Sequence, residues 1–336
     1  MKKKNITFAK KQLSSTTSNM DRMIIDAHSH LWLRQDTRVD GKTIRTLHNG
    51  RSIFLDEEVQ MLPPFMIDGV NSAEVFLSNM NYAQVAGAVV VQEIIDGNQN
   101  DYLCQVQEHY PDRFFCMGMV EFRYGHDFLR EMKTVLNSPL KGLAIPGHRL
   151  LKVPTSEAED AFVTLHLTDP KMMELFKLLE KEEKVLSICL GDDERQISEM
   201  KEVIQECPNL RVAIGHFGMV TTPSFEQQVK LALYGKNVRI ESGGITWLYN
   251  SEFYPYPSAV RSIRQAADWV GMDRLMWGSD YPRTITAITY RMSYDFICKS
   301  NLLTEEEKNL FLGDNAIRFY GFSHLPLLPY IKNMSE

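Results

Sequence analysis

The stretch IIDAHSHLW, residues 24–32, runs from apolar isoleucines into two histidines spaced two apart. In an extended strand successive side chains alternate faces, so His28 and His30 share one. Seven further runs have the same short, apolar form: AGAVVVQ (86–92), RFFCMGMVE (113–121), KGLAIP (141–146), KVLSICL (184–190), LRVAIGH (210–216), NVRIESG (237–243) and RLMWGSD (274–280). Most are nearly continuous in hydrophobicity, as parallel strands covered on both faces are.

Between these runs the pattern changes to a helical period. Met172, Leu175, Phe176 and Leu179 follow i, i+3, i+4, i+7, with Asp169 placed as N-cap and Pro170 at the first helical position. Met200, Val203, Ile204 and Cys207 repeat that spacing before Pro208. In TEEEKNLFLG, Thr304 and Glu307 form a capping box and Gly313 is expected to stop the helix. Eight strand and helix units predict an α/β chain folded as a single (β/α)8 TIM barrel, with active residues where strands end. A doubly wound open sheet is the alternative, but no Gly-rich phosphate loop follows any strand. The barrel is expected over 23–322, after a disordered leader (1–22) and before a C-terminal tail (323–336). Residues 31 to about 70 form a long insertion after the first strand, without clear pattern, expected to lie over the barrel mouth. Met20 and Met23 are alternative starts.

Lys and Arg number 37 against 43 Asp and Glu, for a net charge of −6, and no electrostatic footprint for nucleic acid or an anionic membrane stands out. No apolar run approaches the roughly 18 residues that span a bilayer, and the polar N-terminus lacks a secretory core. The five cysteines (104, 116, 189, 207, 298) are odd in number and unpaired by spacing, which argues against a disulfide framework and for a reducing cytoplasm. The expected partner is a small molecule, with homo-oligomerisation left open.

Several strands end in residues that ligate metals or move protons: His28 and His30 on the first, His216 on the sixth, Asp280 on the eighth. Barrel closure makes the first and eighth strands neighbours. Imidazoles plus a carboxylate are suitable zinc ligands, and three protein ligands with one open position is the usual catalytic arrangement. An HxH pair alone is a weak signal; its coincidence with His216 and Asp280 at matching strand ends strengthens it.

DAHSHLW (26–32), GHFG (215–218), WGSDYP (277–282) and NAIRFYG (315–321) resemble the amidohydrolase superfamily, in its amidohydrolase-related group of sugar lactonases, pyrone dicarboxylate lactonases and nonoxidative decarboxylases. VVVQEIIDGNQNDYL (89–103) and HYPDRFF (109–115) are similar to the lactonase branch. The resemblance implies a barrel with a divalent metal, zinc or manganese, at its C-terminal face, held by His28, His30 and Asp280, with Asp280 also a general base and His216 a catalytic histidine. It departs at the fifth strand, where the family usually has histidine and this chain has Cys189. Strand alternation places Ser187 and Cys189 inward and Leu186, Ile188 and Leu190 toward the helices. Cys189 is then either a thiolate ligand or an inert interior residue, and a metal-free state, as in the pyrone lactonases, stays open.

Other residues near the mouth carry two readings each. His148 and Arg149, in PGHRLL after the fourth strand, are substrate contacts or ordinary loop residues, His148 also a substitute ligand. Lactonases often carry an arginine near the end of that strand; Ala144 stands there. Arg45, Arg51 and His48, in a basic insertion, either recognise an acidic substrate or are solvated. Arg123 and Glu241 contact substrate or pair with each other, and Trp247, with Trp32 and Tyr249, walls a pocket or packs. The resulting expectation is hydrolysis of a small carboxylated or sugar-derived lactone or ester by activated water. The alternatives are a nonoxidative decarboxylase, a metal-free lactonase, and a catalytically inactive binding barrel.

Overall fold

Parallel pairing runs through eight strands in the computed structural model, which describes residues 22–151, 161–332 and 334. Twelve strands are described in all: β1 (Ile24–Ser29), β2 (Asp36–Val39), β3 (Lys42–Thr46), β4 (Arg51–Phe54), β5 (Glu57–Gln60), β6 (Val85–Val90), β7 (Phe114–Gly118), β8 (Gly142–Ile145), β9 (Val185–Ile188), β10 (Arg211–Ile214), β11 (Val238–Glu241) and β12 (Leu275–Met276). The order β1-β6-β7-β8-β9-β10-β11-β12 is sequential, and each of the eight expected runs supplies one of these strands. Backbone bonds then join the last strand to the first: Ala27 N–H to Trp277 O at 2.9 Å, Asp280 N–H to His28 O at 2.9 Å and His30 N–H to Tyr281 O at 2.7 Å. The sheet is therefore a closed barrel, not a doubly wound open one.

Side chains sort into two apolar layers. Leu186, Ile188 and Leu190 pack outward with helical residues such as Leu175, Phe176 and Leu179, whereas Ile25, Ala27, Val89, Met117, Val185, Ala213 and Met276 fill the barrel interior. Phe319 and Tyr320 join the interior layer, and Phe322 and Leu325 pack onto it beside Gly87. The start of the expected tail thus closes the barrel end opposite the strand C-termini. The expected leader lies, Arg22 apart, outside the described residues, as does Met20. Among the described residues no helix is long and apolar enough to cross a membrane.

The insertion is not patternless. It forms a four-stranded antiparallel sheet, β2-β3-β4-β5. Its turns carry the hairpin signal: Asp40-Gly41 joins β2 to β3 with positive φ at both residues (50° and 80°), the favoured geometry of a two-residue hairpin. Leu55-Asp56 joins β4 to β5 likewise, at 54° and 71°. Strands of four or five residues are too short to display alternation convincingly. Gly313 departs from expectation as well. The capping box at Thr304 and Glu307 forms, but the chain continues through a wide π-turn at Leu310–Asp314 into helix Asn315–Tyr320 and ends at Gly321. Gly313 is placed where any Cβ would overlap the Met23 carbonyl, so its smallness serves close approach to β1 rather than helix termination.

A bulge in β1 aims the two histidines. Asp26 pairs with Ala88 and Ser29 with Val90, so three steps on β1 oppose two on β6. Ile25 and Ala27 face the interior before the bulge; His28 and His30 do so after it. The bulged His28 N–H is taken by Asp26 Oδ1 at 3.1 Å. That buried carboxylate also accepts Ser279 N–H at 2.8 Å, the Ser279 hydroxyl at 2.5 Å and the Tyr290 hydroxyl at 2.7 Å, crossing the seam from β1 to the segment after β12. Burial outweighs these bonds and lifts its pKa to about 6. Asp26→Ala strands four donors, so denaturant titration at neutral pH is expected to show a loss of about 2–4 kcal/mol.

Candidate active site

Strand ends and the inserted sheet enclose a cavity of about 640 Å³ at the C-terminal mouth of the barrel. Its size suits a small molecule. His28, His30, His148, Arg149, Cys189, His216, Trp247 and Asp280 all line it, and Phe54, Val59 and Met61 reach it from the insertion. The insertion therefore covers the mouth, as expected.

The centre of the cavity is a triangle of ligand atoms. His28 Nε2 lies 3.2 Å from His30 Nε2, His30 Nε2 lies 3.1 Å from Asp280 Oδ1, and His28 Nε2 lies 3.7 Å from the same oxygen. Ligands about 2.0–2.1 Å from a tetrahedral zinc ion stand about 3.3–3.4 Å apart. The triangle fits that spacing.

The outer nitrogens explain why three such atoms converge. His28 Nδ1–H donates to Glu241 Oε1 at 2.8 Å, which directs Nε2 into the triangle. His30 Nδ1 faces Asp96 Oδ2 at 3.1 Å, close enough for an ion pair though not aligned as a hydrogen bond. Burial draws the His30 pKa down, but the Asp96 and Asp280 carboxylates outweigh it and hold it well above the ordinary value. Burial likewise opposes ionisation of Asp280, yet the His30 hydrogen bond and the charges of His216, His30 and His28 hold its carboxyl well below the usual range. The field at this point calls for a cation, and the donor set, two imidazoles and a carboxylate, suits a divalent metal.

The groups around the triangle are held as firmly. Asp280 Oδ2 accepts the Trp247 indole N–H at 2.6 Å, so Trp247 orients the aspartate as well as walling the cavity. His216 Nδ1–H donates to Gly243 O at 2.9 Å, leaving Nε2 as its other polar atom. His216 and Asp280 both sit in the left-handed backbone region, at φ 52° and 58°, the local strain that functional residues often carry.

Cys189 faces the cavity, as alternation required, but lies outside the triangle. Its sulfur stands beside Gly215 and near Glu241, and burial together with the Glu241, Glu93 and Asp280 charges holds the thiol well above its ordinary pKa. Ala144 also lines the cavity, so the arginine usual in lactonases is absent from that wall. Arg149 clamps Glu93 through two bonds of 2.8 Å. Burial, with the neighbouring Arg149 charge, pulls His148 down to about 4 and leaves it a neutral imidazole.

Five expected substrate contacts lie away from the lining. Arg45 pairs with Asp36 and Arg51 with Glu58 on the exposed face of the inserted sheet, and His48 is exposed in the turn between β3 and β4. Antiparallel alternation turns Ile44, Ser52 and Phe54 inward and those arginines out. Arg123 bonds Glu121 at 2.6 Å, not Glu241. Glu241 stands behind His28: besides His28 Nδ1–H its carboxylate accepts the His216 N–H at 3.2 Å and the Gly243 N–H at 2.6 Å, leaving it no part in the lining. Glu93, Asp96 and Arg283 were not singled out from the sequence. Glu93 and Asp96 follow β6 closely, and Arg283 stands three residues after Asp280; the strand-end rule applied to every strand would have found all three.

The sequence pattern of the amidohydrolase family matches residues 25–322. No curated protein matches the chain. Among solved structures, the chain is similar to a probable 2-pyrone-4,6-dicarboxylic acid hydrolase from Acinetobacter baumannii with citric acid bound, at 18% identity and TM-score 0.63, covering 89% of this chain and 99% of that one. An amidohydrolase from Burkholderia multivorans with bound zinc shares 17% identity at TM-score 0.58, covering 90% of this chain and all (100%) of that one. A 5-carboxyvanillate decarboxylase from Sphingomonas paucimobilis shares 17% identity at TM-score 0.59, with 90% and 100% covered. These likenesses are of fold. The family pattern runs from within the first barrel strand to just beyond the last helix, and the chain therefore belongs to the amidohydrolase family.

Proposed function

We propose that the protein is a metal-dependent hydrolase that opens a small carboxylated lactone or ester with activated water. The observation that carries this reading is the convergence of His28 Nε2, His30 Nε2 and Asp280 Oδ1, with the outer histidine nitrogens facing Glu241 and Asp96. The bound zinc of the Burkholderia protein and the bound citrate of the Acinetobacter protein support a divalent metal and a small acidic ligand. A divalent metal held by these three residues would polarise a carbonyl and lower the pKa of bound water toward 7.

The chain's own residues supply the proton traffic. Asp280, ionised and fixed through Trp247, takes a proton from the attacking water as the new carbon–oxygen bond forms. It returns that proton to the leaving oxygen as the old bond breaks. His216, held at Nδ1 by the Gly243 carbonyl and lining the cavity beside His28, orients the substrate's carbonyl oxygen. The inserted sheet and its apolar face exclude bulk water from the same space. Cys189 is not needed by this arrangement and is read as an interior residue.

Nonoxidative decarboxylation is the second reading, supported by the Sphingomonas neighbour, a decarboxylase on the same fold. It replaces the leaving oxygen by a carbon that takes the proton, and it releases carbon dioxide. Product analysis separates the two.

Elemental mass spectrometry of protein purified without chelator or metal-affinity resin is expected to find near-stoichiometric zinc or manganese, lost in a His28→Ala/His30→Ala variant. Metal absent from the wild type and not taken up on titration would remove the metallohydrolase reading. Asp280→Asn should lower turnover of any lactone found by panel screening by about 10²–10⁴-fold with the fold retained by circular dichroism. Trp247→Phe, which keeps the wall but not the indole N–H, should lower kcat about tenfold and leave the metal content unchanged.

A further inference from the structure

The cavity lining holds two arginines, Arg149 and Arg283. Arg149 is committed to Glu93 in a two-point clamp. Arg283 pairs with no carboxylate among the described residues; its guanidinium lies over the Trp247 ring, 3.8 Å from the centroid, and is open to solvent at the mouth. The carboxylates of the lining are otherwise engaged: Asp96 and Asp280 face the histidines, Glu93 holds Arg149, and Asp192 accepts the Ser224 N–H. Stacking on an indole face pre-orients a guanidinium and leaves its N–H edge available. The indole beneath it is the one that bonds Asp280, so an anion held by Arg283 lies next to the reacting centre.

Most of the remaining wall surface is apolar, with Gln60, Gln92, Ser187, Thr222 and Thr286 as polar positions within it. Phe54, Val59 and Met61 from the insertion face Ile95, Leu190 and Met219 from the barrel loops. Ala144 and the exposed positions of Arg45 and Arg51 leave this wall without further cations.

We propose that Arg283 is the substrate's anion anchor and that it selects molecules carrying a single carboxylate on an apolar body, rather than a sugar acid or a dicarboxylate. This rests on reading the cavity as the active site.

The test is calorimetric titration of the metal-loaded protein with 3-phenylpropionate, its neutral amide, and phenylsuccinate as the two-charge comparison. The wild type is expected to bind the carboxylate about tenfold more tightly than the amide, and phenylsuccinate more weakly than the monoacid. Arg283→Gln should lose that preference while binding the amide within about twofold of wild type. A variant that keeps the preference, a wild type that has none or binds neither probe, or tighter binding of phenylsuccinate would each overturn the proposal. If the preference instead vanishes only in the His28→Ala/His30→Ala protein, the metal centre is the anchor and the proposal also fails. Metal content measured on the same samples keeps the two readings apart, since loss of the hydrolase reading shows as absent metal and loss of the anchor shows as an unchanged binding ratio.

Discussion

One buried carboxylate, that of Asp26, holds the seam on which the site is built. A closed barrel must join its first and last strands, and here that junction also carries His28, His30 and Asp280. Asp26 satisfies the bulged His28 N–H on one side and the Ser279 N–H and hydroxyl on the other, with Tyr290 as a fourth donor. A buried acceptor with several donors is costly to disturb in part, because each stranded group pays its own desolvation. The geometry of the histidine pair relative to the aspartate is thereby set by a residue that does not itself reach the cavity.

Charge is arranged in layers from that seam outward. The inner layer is two imidazoles and a carboxylate, whose facing atoms attract a cation. Behind it stand Glu241 and Asp96, which orient the histidines and add negative field. Beside it, Trp247 connects Asp280 to Arg283 at the mouth, so the cationic edge of the cavity and its anionic centre share one indole. Cys189, where the resemblance implies histidine, lies to one side near Glu241, while the convergent atoms come from the first and eighth strands.

Much of the fold was legible in the residue order, because parallel barrel strands are buried on both faces and show as dense apolar runs. All eight stand where those runs stand. The insertion was harder to read. Its strands bury only one side, so Val39 and Ile44 appear singly among polar and charged neighbours, and only the Asp40-Gly41 turn betrays the hairpin. The basic residues of that segment drew attention as an anion site, yet sheet alternation turns Arg45 and Arg51 toward solvent, where Asp36 and Glu58 meet them. Gly313 was legible as a special position but not for its reason, since close approach to the Met23 carbonyl is a contact between distant parts of the chain.

The candidate ligands divide along the same line. Residue types and their two-residue spacing suffice to name His28 and His30, and position at a strand end suffices for His216 and Asp280. Which face the histidines present does not follow from spacing: uninterrupted alternation from Ile25 would place them with Asp26, outside the barrel interior. A bulge reverses that, and it exists because the register against β6 and the Asp26 bonds across the seam hold it there. The partners that orient each imidazole, Glu241 and Asp96, come from other strands and loops far away in the chain. Local order could mark the ligands, but their direction, protonation and pairing are properties of contacts made only when the barrel closes.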